Sequence, residues 1–302
     1  MKIKIGTRAS QLALWQAHYI QSRLEAAGAE TEIVAMETRG DKVLDVALSK
    51  IGSKGVFTEE LEEKLLNGEI HIAVHSAKDL QSDLGPEFEI IAFTEREEPN
   101  DVLVSDQPVD LSKPLVIGTS SVRRVAFFKK YYPHIQLVNM RGNLQTRLKK
   151  MREGQCDALA LAYAGVNRMN YNDLIVHRFP LNEFIPPVGQ GTIAVEVAAN
   201  LTEDIRNFVK TACNYRKTEV CLLAERAFLK EMNGGCSIPV FGYARNTGEG
   251  ILFTGGITAL DGQNTVMVEQ AGTVPEELGR IAAQQVLENG GREILEQIKS
   301  SK

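Results

Sequence analysis

Short apolar runs of period two alternate along the chain with stretches of period 3.6, and the alternation begins at the first residues. Met1 to Gly6 alternates apolar and polar positions as a strand does. Ser10 then caps a predicted helix from Gln11 to Ala27, and Thr31 to Met36 reads as the next strand. A helix is expected from Glu59 to Asn67, with Thr58 as its cap and Gly68 as its stop. His71-Ile-Ala-Val-His75 follows as a buried strand. Further on, Leu115-Val-Ile-Gly-Thr-Ser-Ser121 is a strand entering a polar turn, and Ser121 caps a helix that starts at Val122. The pattern then recurs: Ile135 to Asn139 is a strand, Arg141-Gly142-Asn143 a turn, and Leu144, Leu148 and Met151 form the apolar stripe of a helix. Such alternation predicts an α/β fold with mixed sheets covered by helices on both faces, whose ligands lie beyond the carboxyl ends of the strands.

The last third changes character. Lys217 to Met232 is a helix with Val220, Leu223, Ala224, Ala227 and Phe228 on one face, and it stops at Asn233-Gly234-Gly235-Cys236. Alternating strands from Ile238 to Ala244 and Ile251 to Ala259 follow, with turns at 246–250 and at Asp261-Gly262, and two helices close the chain. This predicts a small α+β domain. Breaks are expected near Glu95 to Asn100 and at Pro186-Pro187. No internal repeat and no low-complexity segment is evident. Between Glu37 and Gly55 the periodicity fades among glycines and lysines, as expected of a mobile lid.

Charge sharpens this picture. The chain has 302 residues and a formal net charge of -5, with 43% hydrophobic and 24% charged residues, which excludes disorder. Yet from Lys113 to Arg152 every charged side chain is Lys or Arg. A one-signed block in an acidic protein is either a solvated basic face or a site that collects anions. Its two strand-to-helix corners bring free backbone N–H groups and hydroxyls beside Arg123, Arg124, Arg141 and Arg147, which favours an anion site for carboxylate or phosphate. The acidic remainder argues against a general nucleic-acid binder, and no apolar run is long enough to span a membrane. With no apolar signal segment, the chain is expected to be cytoplasmic. The four cysteines lack C-x-x-C pairing and histidines at zinc spacing, so neither a structural metal nor a disulfide framework is expected.

Individual motifs carry competing interpretations. Gly189-Gln-Gly191-Thr-Ile-Ala194 matches a loose dinucleotide fingerprint but enters a strand instead of leaving one, and is taken as a linker. His71 and His75 lie in an apolar strand and are taken as structural. Asp79, with Ser76 and Lys78, stands where a buried strand opens onto the expected cleft. There it either caps a turn or stabilises a cation and moves a proton. Spacing alone leaves Cys236 open between a small buried hydrophobe and a reachable thiolate on a glycine-held loop.

Together the ordered segments Thr7-Arg-Ala-Ser-Gln-Leu-Ala-Leu-Trp-Gln-Ala17, Thr38-Arg-Gly-Asp41, Val74-His-Ser-Ala-Lys-Asp79, Gly118-Thr-Ser-Ser-Val-Arg-Arg124, Arg141-Gly-Asn143, Val188-Gly-Gln-Gly191 and Gly234-Gly-Cys236 resemble the porphobilinogen deaminase (hydroxymethylbilane synthase) family across essentially the whole chain. The resemblance implies three domains: 1–95 with 192–213, 98–187, and 216–302. The first two would resemble type II periplasmic binding proteins with a cleft between them, and the third would carry the reactive cysteine. It implies a monomeric transferase that joins four molecules of porphobilinogen, releasing ammonia at each addition, onto a dipyrromethane primer held by a thioether to Cys236, and finally hydrolyses off the linear tetrapyrrole. Asp79 would be the catalytic carboxylate. Every ring carries an acetate and a propionate, which gives the basic block a purpose, with Arg8, Arg123, Arg124, Arg141, Arg147 and Arg168 binding carboxylates. Ser10, Lys78, Thr119, Ser120, Ser121, Asn143 and Gln190 would assist, with Lys50 and Lys54 reaching in from the lid. The sequence departs from the family pattern at Gln81, where a proline is common, and at Ser237 and Pro187, without loss of a charged or reactive group. Two other classes fit parts of the pattern: a non-catalytic polycarboxylate-binding protein, which leaves the Gly-Gly-Cys loop unexplained, and an RNA-binding module built on the basic block.

Overall fold

A computed structural model describes residues 1–38, 58–234 and 238–300. Lys50, Lys54, most of the expected lid and Cys236 lie outside the described residues. The first sheet contains β1 (Lys2–Arg8), β2 (Glu30–Met36), β3 (Ile72–Ser76), β4 (Phe88–Phe93) and β10 (Ile193–Ala198), in the order β2-β1-β3-β10-β4. β1 runs parallel to β2 and β3, whereas β10 returns antiparallel to β3 and β4. The second sheet contains β5 (Asp101–Val104), β6 (Val116–Gly118), β7 (Gln136–Val138), β8 (Ala158–Ala162) and β9 (Ile175–Arg178), in the order β7-β6-β8-β5-β9. Here β5 is the antiparallel member beside β8.

The two orders are the same pattern. Three parallel strands, one antiparallel strand that has crossed from the other sheet and one edge strand make up each, so the molecule contains a structural repeat that the sequence does not betray. Core positions constrain only polarity and volume, so duplicated topology survives without duplicated letters.

Helices α1 (Gln11–Ala26) and α6 (Glu203–Cys213) cover one face of the first sheet, where Ile3, Ile5, Ile72, Val74, Val195 and Val197 meet Ile20, Leu24 and Val209. Burial of each such side chain is worth about 1.5–3 kcal/mol. On the opposite face Leu61 and Leu65 of α2 (Glu59–Leu66) pack on Ala73 and Ala198. Thr58 makes no capping hydrogen bond to α2, contrary to the sequence expectation. The second sheet carries α3 (Val122–Tyr131), α4 (Leu144–Arg152) and α5 (Tyr163–Arg168), with Phe127, Phe128, Phe179 and Phe184 interlocked beneath it. Phe179 and Phe184 stack with centroids 4.0 Å apart, and Phe128 meets Phe184 edge-on at 5.1 Å.

The third sheet is antiparallel: β11 (Val240–Asn246), β12 (Ile251–Thr258) and β13 (Thr265–Gly272). It is backed by α7 (Arg216–Glu231) and α8 (Pro275–Val286), and α9 (Arg292–Ser300) closes the chain after Gly290 turns it at φ 106°. β13 is an addition to the sequence expectation: it is an edge strand with no fully buried side chain, and its apolar residues cluster at Val266-Met267-Val268 instead of alternating along its length. Phe93 and Ala194 of the first sheet belong to the same apolar cluster as Phe228 and Phe253, so the third unit packs directly on the first. No helix among the described residues is long and apolar enough to cross a membrane.

Candidate functional site

The strand ends converge on one place. β3 ends at Ser76, and Ala77–Asp79 form a single 3-10 turn that leaves Asp79 exposed and Lys78 half-buried. Gln16 of α1 is buried and donates from Nε2 to Ser76 Oγ at 2.8 Å, which fixes the start of that turn. Ser10 caps α1 by accepting from the Ala13 N–H at 3.3 Å. A cavity of about 60 Å³ lies against this turn, walled by Arg8, Ser10, Gln16, His75, Ser76 and Asp79. Gln16 is a site residue that sequence reasoning missed, because one polar position on an amphipathic helix carries no signal until its neighbour is known.

Asp101 was missed too, and it organises the opposite side. It opens the otherwise apolar strand β5 and is fully buried. Arg123 Nη2 donates to its Oδ2 at 2.7 Å, Arg124 Nη2 to its Oδ1 at 2.8 Å, and Gln190 Nε2 to the same Oδ1 at 2.9 Å. Burial opposes the Asp101 charge, but Arg123 and Arg124 hold its carboxyl far below the usual carboxylate range. The remaining Nη groups donate to the Ile185 and Ala160 carbonyls, while Nε of both arginines is buried without a hydrogen-bond partner. An acidic residue at the head of an apolar strand, ahead of a basic block, is the signal from which Asp101 could have been found.

Gln190 joins the two sides, since its Oε1 also accepts from Lys78 Nζ at 3.3 Å. Burial pushes the Lys78 ammonium down to about 8, against the pull of neighbouring Asp79. Burial likewise pushes Arg147 down to about 10, and nearby Arg124 adds to this while Asp79 opposes it; the group remains a cation at neutral pH. The turn bearing Asp79 therefore faces the corner bearing Arg124 and Arg147. At the other corner Asn143 caps α4, with Oδ1 accepting from the Thr146 N–H at 2.9 Å, and Arg147 Nε donates to the Gly142 carbonyl at 2.7 Å. Arg141 is buried. Ser121 caps α3 and Thr119 Oγ1 accepts from the Ser121 N–H at 3.3 Å, with Ser120 half-buried between them. Arg168 donates from Nη2 to the Gly191 carbonyl at 2.8 Å, and burial pushes it down to about 10 while Glu97 opposes. Behind the turn, His75 Nε2 lies 2.9 Å from Glu196 Oε2, both side chains buried.

Lys78, Arg147 and Arg168 share one property: each is a half-buried cation with no carboxylate within 4.0 Å among the described residues. Buried charges are ordinarily paired, so this arrangement suits an anionic ligand with several carboxylates. The donor set fits an oligopyrrole bearing acidic side chains on every ring. No group of His, Cys, Asp and Glu among the described residues is arranged to hold a metal ion.

Two family models match the chain: the porphobilinogen deaminase dipyromethane cofactor binding domain over residues 3–206 and the porphobilinogen deaminase C-terminal domain over 219–288. The porphobilinogen deaminase of Desulfosudis oleivorans is 52% identical over 99% of this chain and 98% of its own length. That of Cytophaga hutchinsonii is 51% identical over 98% and 97%. Among solved structures, the second substrate binding domain of a putative amino acid ABC transporter from Streptococcus pneumoniae covers 70% of this chain and 91% of its own, with 10% identity and a TM-score of 0.46. The Bordetella pertussis BvgS periplasmic VFT2 domain covers 70% and 86%, with 16% identity and a TM-score of 0.43.

Proposed function

The chain belongs to the porphobilinogen deaminase family, and from that premise we propose which of its residues carry the family's reaction. It is a transferase of tetrapyrrole biosynthesis that polymerises porphobilinogen, with a dipyrromethane cofactor. The bound primer supplies a terminal pyrrole whose free α-carbon accepts the next unit. The thioether is assigned to Cys236, and the lid cations to Lys50 and Lys54.

Asp79 is the catalytic carboxylate. It stands exposed at the end of a buried strand beside a cavity lined with hydroxyls, where it can stabilise positive charge on a substrate pyrrole N–H as the amine departs. Lys78, Arg147 and Arg168 are the cations with donors to spare for acetate and propionate groups. Arg8, Arg141, Ser10, Ser120 and the N–H groups at the start of α3 and α4 complete the set, with Thr119, Ser121 and Asn143 shaping the corners. Arg123 and Arg124, held by Asp101, frame the site from within, their Nε donors buried and unpartnered. Gln190 fixes Lys78 against Asp101. The half-buried cations without a carboxylate partner, two of them, Lys78 and Arg147, near Asp79, are the observation that carries this assignment.

Domain limits at 1–95 with 192–213, 98–187 and 216–302 are supported by the separation into three sheets, and we assign the enzyme as a cytoplasmic monomer. Intact-mass measurement of denatured holoenzyme with peptide mapping is expected to find a dipyrromethane on the Cys236 peptide. Asp79→Ala should keep that adduct and lose nearly all ammonia release from porphobilinogen; full turnover in the variant would falsify the catalytic assignment.

A further inference from the structure

We propose that Trp15 is a positioning residue for Arg168, holding its guanidinium across the junction of the first and second sheet units so that its edge is presented to an incoming carboxylate. This rests on the assignment of Arg168 to carboxylate binding. Trp15 lies on α1 over the first sheet, and Arg168 ends α5 over the second. The Arg168 guanidinium carbon sits 5.5 Å from the Trp15 ring centroid, and Trp15 is itself supported by Tyr19, stacked on it at 5.7 Å with an interplanar angle of 12°. The helices approach closely enough here that a Cβ built on Gly165 would meet Leu12 at 3.6 Å.

Stacking uses the face of a guanidinium and leaves its five N–H groups on the rim. Nη2 donates to the Gly191 carbonyl. That carbonyl also accepts from the Glu97 N–H at 3.0 Å, and Asn167 beside Arg168 donates to Glu97 Oε2 at 2.8 Å. Arg168 is thus anchored at one corner to the Gly191 crossing, which the Glu97 N–H ties to the other crossing, and its guanidinium carbon lies over the Trp15 ring. Two constraints of different direction fix a planar group. A fork so fixed loses little freedom when a carboxylate arrives, which is the physical basis of preorganised binding. The Trp15 ring remains 38% accessible on the surface of α1, beside the site it would serve.

Trp15 is the sole tryptophan of the chain, so its emission reports this contact without labelling. In the holoenzyme, porphobilinogen is expected to change tryptophan emission with the same concentration dependence as turnover, and Arg168→Lys, which keeps the charge but not the planar fork, is expected to remove the response. Trp15→Ala should raise KM by ~3- to 30-fold while kcat falls much less, the range given by typical cation–π strengths. Trp15→Phe should recover part of the loss. An emission unaltered by saturating porphobilinogen, or a Trp15→Ala enzyme with wild-type KM, overturns the proposal. Ammonia release by the wild-type enzyme is scored separately: its absence would sink the enzymatic assignment, whereas its presence with an unresponsive Trp15 sinks only this inference.

Discussion

Lys78 and Asp101 show how burial and charge divide the work of this site. Burial pushes Lys78 down to about 8, so the hold on a substrate carboxylate proposed for it should weaken as pH rises through that value. KM for porphobilinogen should therefore climb above pH 8, and Lys78→Arg should carry that limb upward, as a pH profile of kcat/KM would show. Asp101 has the opposite sign. Its folded-state carboxyl is held below the unfolded one, so the stability it contributes is present above about pH 4 and is lost as pH falls toward the depressed value. Asp101→Asn leaves Arg123 and Arg124 buried without a counter-charge. It should cost about 3–5 kcal/mol in denaturant unfolding at neutral pH and flatten the acid limb of stability. Lys78 stands in a motif beside Asp79, whereas Asp101 is marked only by its place at the head of an apolar strand, and the fold alone brings two arginines about twenty residues on against it.

Elements contribute through their ends. Ser10, Ser121 and Asn143 begin α1, α3 and α4 with side-chain caps; the first two were expected from the sequence because capping is decided within four residues, whereas Asn143 was read only as part of a turn. Thr58 fails as a cap because tertiary packing buries its side chain beside Glu62. The crossing at Gly189-Gln190-Gly191 is the element on which the site turns. Gly191 has φ 92°, and a Cβ there would stand 2.3 Å from the Glu97 carbonyl oxygen. Gly191→Ala should thus destabilise the enzyme by roughly 1–3 kcal/mol, read as a lowered Tm, because it strains the backbone and displaces the carbonyl that receives Arg168. The same three residues resemble a dinucleotide fingerprint when read as letters; the chain places them between sheets, where glycine is required by backbone approach.

For the whole molecule, the basic block divides by burial into three populations. Arg123 and Arg124 are interior, Lys129 and Lys130 at the end of α3 are exposed, and half-buried Arg147 lies near Asp79. Exposed charges are screened within about 8 Å at physiological salt and sheltered ones much less. Raising ionic strength should accordingly increase KM for porphobilinogen modestly and leave kcat nearly unchanged, as steady-state assays across a salt series would show. Thiol chemistry should also separate by location. Burial pushes the Cys213 thiol up to about 12 and Cys221 up to about 11, and raises Cys156 as well. Iodoacetamide treatment of native primer-free enzyme should modify the Cys236 peptide and spare these three. Modification of Cys213 or Cys221 at a comparable rate would contradict the burial argument.

The sequence by itself determined the α/β alternation, the separate C-terminal unit, the family, and the set of charged and reactive groups at strand ends. Periodicity, caps and contiguous motifs are local properties, and local properties are written in order along the chain. Tertiary structure alone decided the partners: Asp101 with its two arginines, Gln16 with Ser76, Gln190 between Lys78 and Asp101, and Trp15 against Arg168. It also decided that β5 and β10 exchange between sheets and give both the same strand order. Those contacts join residues tens to more than a hundred positions apart, and their energy depends on burial, which no linear pattern of residue types specifies.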